Sequence, residues 1–593
     1  METLSERFRF WLPPVLLILF GCYSSYVLIR AHLDEDAPGI SYGFERELKP
    51  RRGAVHDVNG STLVRSVPIW DYHFDPVSVT NRIVRPGRGK PARTKEQILN
   101  TVADALGIDR AAVYAMAEDS RSRYQSLGAS SDVDAHAILR NSGYVAGVII
   151  EDSQTRQYLG RRSLCHVLGA VNYDFTGVAG VEQSCSKWLV GVPGRIRGKR
   201  DALGREIYDR REISIEPVDG ADVYLTIDRN LQYEAERELA DGVKEYGAGS
   251  GWCIVMNAKT AAVLAMASVP DFDPRCFNKA TDRDRLNRAI AFTYEPGSVM
   301  KVITVATAID NGLVGPNTLY STNRDDDRYY KLPGDAGHVW EPRMTLTDAI
   351  VHSSNIVIGK LGWDLGPKRL YAGMRAFGFG AKTGIELPGE ESGILFDPSK
   401  RMWDKATWSR AAIGQSFAVT AIQLAGAYQA IANDGERMRP YIIDRVVDSD
   451  GVTLLRNEPR SLGRVIKAST AKTVRGMMRG VAAPGGTARR AAIKGYSVAG
   501  KTGTAQKSAG RRGYLPGLFR ATFCGMVPAS DPQLVVLVSL DFDERRQFHQ
   551  GGNSSGPVFR RIAGKALRYL MIPKDVPEDE EIDIYDEDEF DRL

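Results

Sequence analysis

Short combinations of serine and lysine occur along this 593-residue chain at a spacing that could support nucleophilic catalysis. Ser-x-x-Lys occurs three times, at Ser184/Lys187, Ser298/Lys301 and Ser469/Lys472. A serine hydroxyl is a weak nucleophile at neutral pH and needs a base close by. On a helix, residues i and i+3 share one face, so the lysine lies within reach of the hydroxyl. A lysine can accept that proton if burial and neighbouring positive charge keep its amine neutral.

The local sequence distinguishes Ser298 from the other two copies. Ser298 follows Glu295-Pro296-Gly297 and precedes an apolar run at 302–306. This pattern predicts a turn that delivers Ser298 to the N-terminus of a helix, where backbone N–H groups and the helix dipole favour a developing anion. We therefore take Ser298 as the candidate nucleophile and Lys301 as its base, and expect Ser184 and Ser469 to have no such role.

Two further motifs follow in chain order. Ser-x-Asn occurs at Ser321/Asn323 and Ser353/Asn355, and Lys-Thr-Gly occurs at 382–384 and 501–503. The second Ser-x-Asn ends a helical pattern, so its hydroxyl and amide could act as a proton shuttle and a clamp. Lys501-Thr502-Gly503-Thr504 continues a strand pattern, and a strand edge can bind an extended peptide. Gly503 would allow close approach of that peptide and Lys501 could bind a carboxylate. The copy at 382 is predicted to be a connecting loop.

The surrounding pattern predicts helices packed on an antiparallel sheet. Strands are expected at 250–256, 261–267, 497–506, 521–527 and 534–540, with a mostly helical block at 298–440. Apolar residues between Val558 and Leu570 recur with a period of 3.6, which predicts a closing helix with one buried face.

An uncharged stretch at 10–29 is long enough to cross a membrane as a helix. Two arginines precede it and three acidic residues follow it closely, so the positive-inside bias places the N-terminus in the cytoplasm and the bulk outside. We predict an uncleaved single-pass anchor. A cleaved signal peptide and a lipoprotein processed at Cys22 are the alternatives.

The composition excludes a collagen-like chain, a wholly disordered chain and a polytopic membrane protein. The length requires two or more domains. The formal net charge is +5, but the last twenty residues carry eleven acidic and two basic side chains, a net charge of −9. The six cysteines include no pair with metal-ligand spacing and do not indicate a disulfide framework. The charge by itself fits a membrane or wall polymer as well as nucleic acid.

The ordered triplet at Ser298, Ser353 and Lys501 resembles the signature of the serine D,D-peptidase and β-lactamase superfamily. Arg52-Gly53, Asp57 and Glu182 also resemble conserved positions of the pedestal of class B penicillin-binding proteins. The resemblance covers roughly 40–572 and departs from the family at Val302 and Ala421. It implies an α+β chain with a single transmembrane helix, an elongated α/β pedestal and a transpeptidase domain with an antiparallel sheet flanked by helices.

The resemblance implies five segments. They are a cytoplasmic stub at 1–9, a transmembrane helix at 10–30, a dimerisation or pedestal domain at 31–221, a transpeptidase domain at 222–572 and an acidic disordered tail at 573–593.

The resemblance also implies a mechanism of acyl transfer. Ser298 would attack the penultimate D-Ala of a stem pentapeptide while Lys301 takes its proton, and β-lactams would acylate the same serine. Backbone N–H groups of Ser298 and Thr504 would form the oxyanion hole. The remaining roles would be proton relay by Ser353, positioning by Asn355, carboxylate binding by Lys501 with Thr502 or Thr504, and close strand approach at Gly503.

Glu295-Pro296-Gly297 favours the division-specific, FtsI-like branch and hence septal wall synthesis. The alternatives are an elongation-specific transpeptidase and a non-catalytic divisome scaffold with the same fold. Partners implied by the resemblance are D-Ala-D-Ala stem peptides, β-lactams, and a polytopic glycan polymerase with other divisome proteins, reached through the transmembrane helix and the pedestal. It implies no metal, no organic cofactor and no nucleic-acid partner. A bifunctional synthase is not favoured, because 31–221 contains no acidic glycosyltransferase motif.

Overall fold

A computed structural model describes residues 4–33, 43–77, 79, 94–119, 122, 124–141, 147–200, 206–207, 211–335, 340–400, 403–508, 510, 513–543 and 550–577. The chain divides into two compact units. One comprises Met1–Pro50 and Val192–Val218, and the other comprises Arg51–Gly191 and Asp219–Leu593.

The helices are α1 Leu4–Leu33, α2 Lys95–Leu106, α3 Arg110–Glu118, α4 Val133–Asn141, α5 Cys165–Leu168, α6 Gly180–Ser184, α7 Ser186–Leu189, α8 Arg229–Glu245, α9 Asp282–Arg285, α10 Arg288–Ala291, α11 Lys301–Asp310, α12 Leu346–Val351, α13 Asn355–Ala376, α14 Lys405–Ala412, α15 Ala421–Ala432, α16 Ala468–Arg479 and α17 Ser555–Tyr569. Short 3₁₀ turns occur at Pro274–Lys279, Gly297–Met300 and Arg489–Ala491.

The strands are β1 Gly43–Leu48, β2 Val55–His56, β3 Thr62–Phe74, β4 Gln125–Ser130, β5 Val148–Tyr158, β6 Ala170–Val171, β7 Gly177–Ala179, β8 Gly194–Arg200, β9 Glu206–Ile207, β10 Ile213–Ile215, β11 Asp222–Leu225, β12 Ser250–Asn257, β13 Val263–Val269, β14 Leu319–Ser321, β15 Arg343–Thr345, β16 Glu436–Met438, β17 Ile443–Val447, β18 Thr453–Arg456, β19 Ser461–Arg464, β20 Ala499–Ser508, β21 Tyr514–Val527 and β22 Leu534–Asp541.

The first unit contains the apolar helix α1 and a small sheet. Leu12–Arg30 of α1 has a mean hydropathy of 1.9 and is not buried by the rest of the protein, so this stretch is apolar and long enough to span a membrane. The prediction of one N-terminal apolar helix is confirmed. In the sheet of this unit, β8 lies between β1 and β10 and also pairs with β9.

A seven-stranded sheet of the second unit joins distant parts of the chain. Its order is β18-β17-β11-β2-β3-β4, and β5 pairs with β3. β11 runs parallel to β2 and antiparallel to β17. The predicted boundary between 221 and 222 therefore falls immediately before a strand that shares a sheet with both flanking regions. The Asn59-Gly60 turn connects the paired strands β2 and β3.

The five-stranded sheet that carries Lys501 is antiparallel throughout, in the order β13-β12-β22-β21-β20, so β20 is an edge strand. Every residue of β22 is buried, because both faces of this central strand are covered. Helices α8 and α17 contact the sheet, as do α15 and α16. Trp252, Phe523 and Phe559 are fully buried in this core. The predicted α+β organisation, with helices flanking an antiparallel sheet, is confirmed.

The beginning of the acidic segment is bound to the protein surface, which differs from the prediction of a disordered tail from 573. The Asp575 carboxylate accepts hydrogen bonds from the Ser497 backbone N at 2.7 Å and from Ser530 Oγ at 2.6 Å. The backbone N of Asp575 donates to Gly495 O at 3.2 Å. Composition could not reveal these contacts, because the partners of Asp575 come from other parts of the chain. Residues 578–593 lie outside the described residues.

Candidate active site

A tight turn presents Ser298 at the start of α11, as the sequence predicts. Gly297 has φ of +62° and its backbone N donates to Gly414 O at 2.9 Å. A Cβ on Gly414 would lie 2.0 Å from Gly297 O, so only glycine fits there. Glu295 braces the same turn, because its carboxylate accepts from Ser416 N at 2.8 Å and from the Tyr514 hydroxyl at 3.3 Å. Ser298 itself is half-buried.

Lys301 is fully buried behind this turn. Its Nζ donates to Ser353 O at 2.5 Å and to Asn355 Oδ1 at 2.7 Å, and it lies 3.1 Å from Ser353 Oγ. Burial lowers the pKa of Lys301 to about 7, although the negative charge of Asp335 partly opposes that shift. A large fraction of Lys301 is therefore neutral near neutral pH, which is the condition for accepting a proton.

Ser353 occupies a strained turn between α12 and α13. Its φ is +61°, a left-handed conformation that is uncommon for residues other than glycine and that often marks functional sites. The next residue, Ser354, is the N-cap of α13 and accepts from Val357 N at 3.2 Å. The strained turn directs the carbonyl of Ser353 at Lys301, and Asn355 follows as the first residue of the helix.

Asp335 holds this turn through hydrogen bonds, and no motif in the sequence predicted it. Its carboxylate accepts hydrogen bonds from Ser354 Oγ at 2.6 Å, from Trp340 Nε1 at 2.9 Å and from the Asn355 backbone N. Asn355 Nδ2 donates to Gly334 O at 2.9 Å, which leaves its Oδ1 facing Lys301. Asp335 belongs to no recognisable motif, so only its three-dimensional contacts identify it.

The edge strand β20 brings Lys501 close to the turn that holds Ser298. A Cβ on Gly503 would lie 3.1 Å from Pro296 O, so the strand passes directly beside the turn that holds Ser298. Lys501 is fully buried, and its Nζ lies 3.3 Å from both the carbonyl and the hydroxyl of Thr502. Burial lowers the pKa of Lys501 well below its usual value, and the charge of Lys301 lowers it further.

The threonines of β20 are also fixed in place. Thr502 Oγ1 donates to Thr487 Oγ1 at 3.2 Å, and Thr504 Oγ1 accepts from Gly551 N at 3.2 Å. Thr487 and Gly551 had no role in the sequence analysis.

The duplicate motifs occupy very different surroundings. Ser469 and Lys472 are exposed on α16, and Lys187 lies over the ring of Trp188 at 3.8 Å from its centroid. Lys382 is exposed, whereas Thr383 beside it is bound by Glu390 at 2.6 Å. The structure therefore brings Ser298, Lys301, Ser353, Asn355 and the strand 501–504 together and leaves the other copies apart. The described residues include no cluster of three or more His, Cys, Asp or Glu side chains that could hold a metal.

Comparison with known proteins gives consistent matches over most of the chain. Residues 251–564 match the penicillin-binding protein transpeptidase domain, and residues 47–225 match the penicillin-binding protein dimerisation domain. The penicillin-binding protein PbpB of Mycobacterium tuberculosis is 32% identical over 546 residues, covering 89% of this chain and 78% of that protein. The peptidoglycan D,D-transpeptidase FtsI of Escherichia coli K12 is 31% identical over 535 residues, covering 89% of this chain and 85% of that protein.

Solved structures show the same fold. A peptidoglycan synthetase from Bifidobacterium adolescentis has a TM-score of 0.71 at 26% identity, over 91% of this chain and 99% of that one. Penicillin-binding protein 3 from Mycobacterium tuberculosis, complexed with aztreonam, has a TM-score of 0.65 at 26% identity, over 90% of this chain and 99% of that one.

Proposed function

The chain belongs to the class B penicillin-binding proteins, which are peptidoglycan D,D-transpeptidases, and on that premise we propose that it cross-links stem peptides through an acyl-enzyme on Ser298. The observation that carries this proposal is the buried Lys301, whose pKa is lowered to about 7 one helical turn after Ser298. A lysine in that state can act as a base, which an exposed lysine cannot do at neutral pH.

In the acylation step, Ser298 Oγ attacks the carbonyl carbon of the penultimate D-Ala and its proton passes to Lys301. Backbone N–H groups of Ser298 and Thr504 stabilise the oxyanion. The C–N bond to the terminal D-Ala then breaks, and the leaving amine receives the proton from Lys301 through the Ser353 hydroxyl. Ser353 supports this relay because its Oγ lies 3.1 Å from Lys301 Nζ. An ester on Ser298 and free D-Ala are the products of this step.

Lys501 binds the terminal carboxylate of the stem peptide. In the empty site its pKa is lowered by burial and by the charge of Lys301, but an arriving carboxylate favours the protonated form. Once Lys501 is charged, it in turn disfavours a proton on Lys301, so the two lysines titrate as a coupled pair. Substrate binding thereby keeps the base neutral, while the hydroxyl of Thr502 or Thr504 supplies a further donor.

The edge strand β20 aligns the extended peptide by adding it to the sheet, with Gly503 permitting close approach. Asn355 positions Lys301 through its Oδ1. An amine from a neighbouring stem then attacks the ester, forms the cross-link and frees Ser298. β-Lactams resemble the D-Ala-D-Ala end and acylate the same serine; the homologous penicillin-binding protein 3 is found in complex with aztreonam.

The cellular role that we propose is septal wall synthesis on the outer side of the cytoplasmic membrane, with α1 as the anchor. Similarity to FtsI and the sequence Glu295-Pro296-Gly297 support it. A glycan polymerase and other divisome proteins are the proposed partners of α1 and the dimerisation domain. Depletion should give filaments that fail to divide; loss of rod shape would indicate the elongation-specific alternative instead.

Labelling with a fluorescent penicillin tests the site. The full chain in detergent should form a covalent adduct that peptide mapping places on Ser298, and Ser298→Ala should form none. Ser184→Ala and Ser469→Ala are matched controls, because they alter the same motif in other surroundings, and both should label normally. An adduct on another residue, or equal loss in all three folded variants, would refute the assignment. Failure of Ser298→Ala to support growth would exclude a purely structural, scaffold role.

A further inference from the structure

A basic groove lies on the transpeptidase domain beside the C-terminal helix α17. Its volume is about 410 Å³. The cations that line it are Lys494, Arg560, Arg561, Lys565, Arg568 and Lys574. The other residues of its lining within the described chain, Ile493, Tyr496 and Gly564, are uncharged. Such a concentration of one charge sign attracts a polyanion.

Ion pairs and close packing fix the positions of the residues that form the floor of the groove. Arg561 pairs with Glu238 at 2.6 Å and with Glu245 at 3.1 Å, and Lys565 pairs with Glu234 at 2.8 Å. These pairs tie α17 to α8. A Cβ on Gly495 would lie 2.6 Å from the side chain of Lys574, so the Lys574 stem packs directly on that glycine. Lys574, which leads into the C-terminal segment, therefore contacts the wall of the groove at 493–496.

The C-terminal segment leaves the described structure at this groove. Tyr496 donates to Ile572 O at 2.7 Å, and the backbone N–H groups of Asp575 and Val576 donate to Gly495 O at 3.2 and 3.3 Å. The chain is thus held against the groove wall up to Val576. Residues 578–593 follow, with ten acidic side chains and one basic side chain, a net charge of −9.

We propose that the basic groove between α17 and 493–496 is the docking site of the chain's own acidic segment at 578–593. Charge is complementary, since the segment carries −9 and six cations line the groove, of which Arg561 and Lys565 also pair with glutamates of α8. The tether is short, because one residue separates Val576 from the segment, and a short tether gives a local concentration in the millimolar range. Docking in cis occupies the groove and keeps these cations from other polyanions.

Fluorescence anisotropy with a labelled peptide of sequence 578–593 tests the proposal. The full chain and a chain ending at Pro577 are purified in the same detergent, and equal circular dichroism spectra and equal penicillin acylation confirm that both are folded. The shortened chain should bind the peptide, and added salt should weaken binding. The full chain should bind it at least about tenfold more weakly, because its own segment competes. A peptide with Asn and Gln in place of Asp and Glu should not bind.

Charge removal locates the site. Lys494→Gln, Arg568→Gln and Lys574→Gln combined in the shortened chain should weaken binding by about tenfold, since all three side chains are exposed groove cations. The matched control combines Lys400→Gln, Lys472→Gln and Arg479→Gln, which remove three exposed cations elsewhere. Equal affinity of the full and shortened chains for the peptide would overturn the proposal, as would equal loss in the control. So would equally tight binding of polyphosphate to both chains, which would show a groove open to other polyanions.

Discussion

Two clusters of buried charged side chains show how the same physics serves structure in one place and chemistry in another. In the dimerisation domain, Arg52 and Arg156 bind the two oxygens of Glu182 at 2.6 and 2.8 Å. Arg156 also donates to Ser66 Oγ at 3.0 Å and to Gly53 O at 2.8 Å. In the transpeptidase domain, Lys301 and Lys501 are equally buried, yet within the described residues their hydrogen bonds go to carbonyl, amide and hydroxyl oxygens.

The difference lies in the countercharge. In the dimerisation domain the Glu182 carboxylate lies between two guanidinium groups and supplies the countercharge that their burial requires. In the transpeptidase domain neither lysine forms an ion pair among the described residues, so burial favours the neutral amines, and the charge of Asp335 opposes this only in part for Lys301. A buried cluster with matched charges therefore holds strands together, whereas an unmatched cluster can exchange protons with a substrate.

The largest loss of acylation is expected when Lys301 can no longer release its proton. Arginine stays protonated, so Lys301→Arg should reduce acylation by a fluorescent penicillin about 10²–10⁴-fold. Lys501→Arg should retain measurable acylation, because arginine can still bind a carboxylate. Circular dichroism checks that both variants fold. Robust acylation by Lys301→Arg would rule out the lysine base and direct attention to Ser353.

Removing the countercharge from the cluster of Arg52, Arg156 and Glu182 should reduce the stability of the protein without changing its acylation rate. Glu182→Gln leaves two arginines buried without their countercharge, which should reduce the free energy of unfolding by about 3–5 kcal/mol. Urea denaturation measures that loss, and Glu151→Gln, at an exposed site, is the control. The fraction that stays folded should be acylated at the normal rate. A slower rate in the folded fraction would mean that this cluster is coupled to the active site.

The pH dependence of acylation tests whether Lys301 acts as the neutral base. Lys301 must be neutral to react, and burial lowers its pKa to about 7. The acylation rate should therefore rise with pH through about 7 and level off above it, falling about tenfold for each pH unit below the pKa. Stopped-flow acylation between pH 5 and 9 measures the profile. A flat profile across this range would contradict the assignment.

Asp335→Asn provides the matched variant for that profile. The negative charge of Asp335 raises the pKa of Lys301, so its removal should move the midpoint of the profile to lower pH. A purely structural loss would lower the plateau without moving the midpoint.

The smallest expected effect concerns a carboxylate that is only partly buried. Asp575→Ala removes the hydrogen bonds from Ser497 and Ser530 and should destabilise the transpeptidase domain by about 1–2 kcal/mol. A chain ending at Pro577 keeps Asp575 and is the control, with no expected change in melting temperature at 0.5 M salt. An equal drop in both would show that later residues contribute to the core.

Much of the fold was predictable because its signals are local. The capping box of Thr94 and Gln97, the apolar run of α1 and the one-faced period of α17 depend only on neighbours along the chain. The order of the three motifs likewise identified a candidate site. The contacts of Asp575 and the pairing of β11 with β17 were missed, since their partners lie far away in sequence.

The sequence by itself determined which residues could be a nucleophile, a base and a carboxylate-binding cation, because those properties belong to side-chain types and spacing. The local sequence already favoured Ser298 and Lys301 over the other copies, and the tertiary structure adds the surroundings that distinguish them. Ser469 and Lys472 have the same spacing as Ser298 and Lys301, yet Lys472 is exposed and Lys301 is fully buried. Burial lowers the pKa of Lys301 and the charge of Asp335 raises it, and both effects come from residues that are distant along the chain. A pKa depends on the solvent and charges around a group in space, which no local pattern contains.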